Sequence, residues 1–67
     1  MCLLTVYEKK NGAESLVLEH VSAIVTEDGA ITVTDIMGGT VVIPGIIRRI
    51  DMDRSAIFIE APSMVAQ

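Results

Sequence analysis

Tryptophan is absent from this chain, and Tyr7 and Phe58 are its only aromatic residues. A surface that reads single-stranded nucleic acid stacks bases on several aromatic rings, and the sequence offers little of that kind. Cations are also scarce, with five Lys and Arg against nine Asp and Glu and a net charge of -4. Such a field repels phosphate backbones. Lys9-Lys10 and Arg48-Arg49 are pairs rather than a stripe, and neighbouring residues of a strand point to opposite faces. Nucleic acid is therefore disfavoured as a partner.

Cysteine occurs once, as Cys2, so no internal disulfide can form. The chain has 67 residues, and a domain of that size buries only about 60% of its unfolded surface. Small folds compensate with disulfides, a metal or oligomerisation. With the first excluded, a metal or a partner subunit is favoured. Hydrophobic residues make up 51% of the sequence, more than a small monomer easily hides, which again favours an interface. No stretch approaches the roughly 20 consecutive apolar residues that span a bilayer. The opening lacks a basic segment followed by an apolar run and a small-residue cleavage site. The expected location is cytoplasmic, in keeping with a lone thiol in a reducing compartment.

Catalytic signatures are missing as well. His20 is the only histidine, and a nucleophilic cysteine needs such a base nearby, together with an oxyanion loop that the sequence does not display. No enzyme is expected; His20 reads as a turn residue, with metal ligation as the alternative. Glu27-Asp28 and Asp51 with Asp53 lack the alternating acidic loop of an EF-hand and read as polar turns. Gly38-Gly39 has no following Gly-Lys-Ser or Gly-Lys-Thr, so it is a reversal rather than a phosphate loop. Met37, Met52 and Met64 form no repeat and read as core or interface filler.

What remains is β-rich. Residues 2 to 8 hold branched and aromatic side chains that suit a pleated surface, with Cys2, Leu4 and Val6 on one face and Leu3, Thr5 and Tyr7 on the other. Asn11-Gly12 signals a hairpin because both residues tolerate positive φ. A second strand is expected over 14–19, with Leu16 and Leu18 on one face, and a third over 20–26. Glu27-Asp28-Gly29 turns into a fourth over 30–35, where Ile31 and Val33 alternate with Thr32 and Thr34, the pattern of a half-buried strand. Gly38-Gly39 precedes a fifth over 40–43, Pro44-Gly45 interrupts, and a sixth follows over 46–50. A seventh over 56–60 closes the domain. Short strands at such regular intervals predict an all-β fold, a small seven-stranded antiparallel barrel of SH3-like or Sm-like form with no long helix. Residues 1–60 form the single domain and 61–67 a tail broken at Pro62.

Cys2 then has chemical options that a mid-chain thiol lacks. Its thiolate, its own backbone amide nitrogen and the terminal amine of Met1 can close adjacent five-membered chelate rings on one ion. If Met1 is removed, Cys2 carries the amine itself. Nitrogen and thiolate donors in a plane suit Ni(II) or Cu(II). The plainer reading is that Cys2 is a small buried hydrophobe. One short chelate is a weak trap, but a two-fold dimer sets two copies of the same strand together, and two thiolates with two nitrogens complete a square plane.

Met1-Cys2, Val6-Tyr7, Asn11-Gly12, Leu16-Val17-Leu18-Glu19, Thr34-Asp35 before Gly38-Gly39, Gly45-Ile46, Ile50-Asp51 and Ile57, Ile59 and Glu60 resemble the CooT-type small nickel-binding proteins. The resemblance runs from Met1 to about Glu60. It implies a cytosolic homodimer of small β-barrels that binds Ni(II) through Cys2 and serves as an accessory protein or metallochaperone for a nickel apoenzyme, an anaerobic carbon monoxide dehydrogenase. The tail segment Met64-Val65-Ala66 departs from the family pattern. The competing reading is a non-catalytic RNA- or protein-binding small-barrel module; a third is a structural subunit in which Cys2 only packs.

Overall fold

The computed structural model describes residues 3–61. Six strands form one sheet: β1 Leu4–Lys10, β2 Ala13–Glu27, β3 Ala30–Asp35, β4 Thr40–Pro44, β5 Ile46–Asp51 and β6 Ala56–Glu60. Their order across the sheet is β4-β3-β2-β1-β6-β5. The described residues contain no helix.

Local chemistry sets both early hairpins. Asn11 and Gly12 take φ of 55° and 79°, and Asp28 and Gly29 take 51° and 77°. Two consecutive positive φ values match the right-handed twist of the flanking strands. Each turn therefore closes tightly, Lys10 facing Ala13 and Glu27 facing Ala30.

The seven-stranded antiparallel barrel expected from the turn spacing is not what forms. The segments read as second and third strands are one 15-residue strand, β2. It bends at His20, where φ is 58°, and goes on instead of reversing. Register slips mark the bend: Leu4 faces Val21 while Val6 faces Leu18, and the step from Val21 to Ala23 is met on β3 by the step from Asp35 to Thr34. Extra residues on one strand coil it and sharpen its twist. The first half of β2 thereby lies along β1 and the second half along β3, with Val21 facing both Leu4 and Asp35.

Another extra residue, Val17, separates Leu16, opposite Tyr7, from Leu18, opposite Val6. The two leucines thus part company, against the shared face that simple alternation predicts. Leu18 packs on the core and Leu16 is exposed.

The sheet is also mixed. β6 runs parallel to β1, from Thr5 beside Ala56 to Lys9 beside Glu60, and antiparallel to β5. Strands in parallel pairs tend to be covered on both faces, and Ala56, Ile57, Phe58 and Ile59 are all buried. Ile57 and Ile59 join Val6, Val21, Ile31, Val33 and Ile43 in the core, flanked by Leu4, Leu18, Ile24, Val41 and Ile47. Phe58 looks the other way and is covered by the ring of Tyr7, stacked at 5.4 Å and 17°.

Closure stops at a corner. β4 and β5 occupy opposite edges although only Gly45 separates them in the chain. Gly45 donates its N–H to the Gly29 carbonyl at 3.0 Å, while its Cα lies so near the Glu60 carbonyl that a Cβ would fall 2.5 Å from that oxygen. The sheet folds over itself there, yet β4 and β5 share no ladder. The result is an open, strongly bent sheet rather than a closed barrel.

Candidate functional site

Cys2 and Met1, the donors singled out by the sequence, lie outside the described residues. The structure describes the end of the fold into which they lead. Leu4 enters the sheet opposite Val21, and the Thr5 N–H donates to the Ser55 carbonyl at 2.9 Å. Three connections share that end: the His20–Ser22 bend, the Ile36–Gly39 loop and the Met52–Ser55 turn. The His20 carbonyl accepts the Ile36 N–H at 3.0 Å, which ties the bend to the loop. The exposed His20 is thus a bend residue at the end where Leu4 enters the sheet.

Asp35 organises the loop. One carboxylate oxygen, Oδ1, accepts the N–H of Met37 at 2.9 Å and of Gly39 at 2.8 Å, and Gly38 donates to the Asp35 carbonyl at 3.1 Å. Side-chain acceptors that replace backbone partners in this way fix a turn. Asp35→Ala is expected to cost about 1–2 kcal/mol through two donors left without that acceptor. The checks are a lowered urea midpoint and faster hydrogen exchange at Met37 and Gly39; unchanged exchange there would show that the carboxylate does not hold the loop.

The other acidic candidates are structural. Asp51 receives the Arg54 N–H at 3.2 Å and lies 3.3 Å from Arg49 Nη2 and 3.8 Å from Arg54 Nε. Glu27-Asp28 belongs to the β2–β3 turn at the far end of the sheet. Among the described residues, no three His, Cys, Asp or Glu side chains gather into a metal-binding group.

Charge is segregated along the chain. Residues 11–45 contain no Lys or Arg and carry Glu14, Glu19, Glu27, Asp28 and Asp35. The five cations, Lys9, Lys10, Arg48, Arg49 and Arg54, belong to β1, β5 and the turn after β5. Arg49 lies 5.8 Å above the Phe58 ring and pairs with Asp51, and Arg48 pairs with Glu60 at 3.4 Å. These arginines are exposed ion pairs, a kind that contributes little to stability.

The chain from its opening through β6 matches a known family. A family model described as CO dehydrogenase accessory protein CooT matches residues 1–60. The chain belongs to the CooT family. Its fold is shared with the crystal structure of a protein described as CooT from Carboxydothermus hydrogenoformans, with a TM-score of 0.82 at 23% identity, over 91% of this chain and 98% of that one. No curated protein matches the chain. Membership places this CooT chain among accessory proteins of CO dehydrogenase. The match covers β1 through β6 and the Met1-Cys2 opening, and ends before the tail. No helix among the described residues is long and apolar enough to cross a membrane.

One feature escapes strand-by-strand reading of the sequence. The edge strand β4 lies within residues 36–47, which carry no charged side chain at all. That uncharged run is the signal that could have marked it.

Proposed function

We propose that this CooT chain is a cytoplasmic nickel-binding accessory protein that delivers Ni(II) to a nickel apoenzyme of the CO dehydrogenase type. The observation that carries the reading is the family match over residues 1–60, which includes Cys2. Nickel is the cargo in this scheme. The Cys2 thiolate and backbone amide nitrogen, with the terminal amine of Met1, supply the soft and nitrogen donors that suit a square-planar ion. One copy offers too few thiolates for a secure site, so two copies meet about a two-fold axis near their first strands and hold one ion together.

The described fold favours such a design in one respect. Leu4, Val6 and Ile57 lock β1, which follows Cys2 in the sequence, into the core. Ordering of that strand is then no part of the cost of binding. The RNA-binding alternative loses support from the aromatic residues, because the Phe58 ring is stacked against Tyr7 and buried.

Nickel titration of wild-type protein and of Cys2→Ser, read together with the mass of each in solution, tests the reading. Wild-type protein is expected to take one ion per two chains and to show thiolate-to-nickel absorption; Cys2→Ser loses both. Undiminished uptake by Cys2→Ser refutes the assignment of the site.

A further inference from the structure

The geometry points to the free edge of β4 as a docking site for an extended, uncharged segment of a partner protein flanked by Lys or Arg. Backbone register identifies the groups on offer. Gly45 donates to the Gly29 carbonyl and Asp35 to the Gly39 carbonyl, and both pairs fall in the same alternation as Ile31 with Ile43 and Val33 with Val41. In an antiparallel ladder, alternate residues turn their N–H and C=O toward the neighbouring strand. Val41 and Ile43 therefore face β3, and Thr40, Val42 and Pro44 turn their backbone groups outward. No described strand pairs with that edge. Pro44 sits where its missing N–H costs no ladder bond.

Natural sheets protect their edges with charges, bulges or covering segments. β5, the opposite edge, has such protection: Arg48 is an extra residue between Ile47 and Arg49, and Arg48, Arg49 and Asp51 line the strand. Among the described residues nothing covers β4, and Thr40-Val41-Val42-Ile43-Pro44 is uncharged and shows no register slip against β3, with Pro44 at its end the one protective residue. Its outer face adds apolar surface. Val42 is 63% exposed and Val25 55% exposed, both opposite Thr32 in one cross-strand row, and Met37, in the loop that joins β3 to β4, is 87% exposed.

Charge selects the occupant. Acidic groups stand at both ends of this edge, Asp35 bonded to Gly39 just before Thr40 and Glu27-Asp28 in the turn beyond Pro44, and residues 11–45 supply no cation to offset them. A second copy pairing through its own β4 would set acidic rim against acidic rim, and like charges facing across a pair are destabilising. A partner strand with basic flanks meets the reverse. Main-chain bonds supply the affinity of such strand addition, and alternate side chains supply its selectivity.

Strand addition at this edge calls on main-chain groups and needs no metal ion, so this proposal and the nickel reading can fail separately. The probe is a short labelled peptide of alternating Val and Thr with a pair of Lys at each end, compared with the same peptide carrying Glu, and titrated into the full chain. The Lys-flanked peptide is expected to bind with amide shifts centred on Thr40 to Pro44, to weaken with added salt, and to bind about tenfold or more tightly than the Glu-flanked one, about 1.4 kcal/mol. Val42→Pro deletes an outward N–H and leaves the β3 ladder intact, so binding is lost. Val42→Lys keeps the backbone unchanged and weakens binding by charge, whereas Cys2→Ser leaves it as in wild type. Equal affinity for the two peptides, shifts along β5, undiminished binding by Val42→Lys, or a wild-type dimer that Val42→Lys dissociates each overturns the proposal.

Discussion

Gly45→Ala is expected to lose about 3 kcal/mol or more of folding stability, through positive-φ strain together with overpacking. Total stability for a chain of 67 residues is about 3–10 kcal/mol, so the variant sits near the edge of unfolding. Two costs act together. A Cβ at position 45 would fall 2.5 Å from the Glu60 carbonyl oxygen and 3.2 Å from its carbon, and φ of 147° is a conformation that side-chain-bearing residues rarely adopt. The offending neighbour is backbone of β6, paired on both sides by β1 and β5, and backbone cannot rotate away as a side chain can. Urea denaturation is the measurement, with Gly12→Ala as the comparison. Gly12 also has positive φ, at 79°, but a Cβ there meets nothing within 4 Å, so its replacement costs only about 1 kcal/mol, the strain of the conformation. Equal losses in the two variants would mean that no close approach exists at the corner.

Ile59→Ala is the second large effect, at about 3–4 kcal/mol from lost burial and the cavity left behind. Ile59 is fully buried, lies between Glu8 on β1 and Ile47 on β5, and brings its Cγ2 within 3.3 Å of the position a Cβ at residue 45 would take. Truncation therefore empties the core and loosens the corner at once. Ile46→Ala serves as the contrast, because Ile46 is 59% exposed and a surface truncation changes stability by about 0.5 kcal/mol or less. Calorimetric midpoints that fall equally in the two variants would contradict the burial assigned to Ile59.

The elements most legible in the sequence are those decided within a few residues. Asn11-Gly12 and Asp28-Gly29 carry their own backbone preferences, and both turns form where that chemistry places them. The alternation of Ile31 and Val33 with threonines likewise reports which face of β3 is buried. What escaped the sequence depends on partners far along the chain. Nothing near His20 announces that the strand bends and continues, because the bend is stabilised by pairing to β1 on one side and β3 on the other. Leu16 and Leu18 share parity in the sequence, but the extra residue between them, seen only in register with Tyr7 and Val6, turns them apart.

Barrel closure was equally non-local. Regular turns suggested it, whereas the single-residue link at Gly45 sends β4 and β5 to opposite edges. The candidate site divides along the same line. Donor chemistry at Cys2 could be reasoned from residue type and position, and family membership supports the accessory role. The exposed β4 edge required knowledge of strand order.

The parallel arrangement of β1 and β6 has a mechanical consequence. β1 begins at the end where Leu4 lies and β6 finishes at the opposite end, at Glu60. A pull on the first strand against the last therefore slides them lengthwise, loading the rungs between Thr5–Ala56 and Lys9–Glu60 together in shear instead of unzipping them one by one. A partner that draws on the residues leading into β1 would meet a stiff anchor.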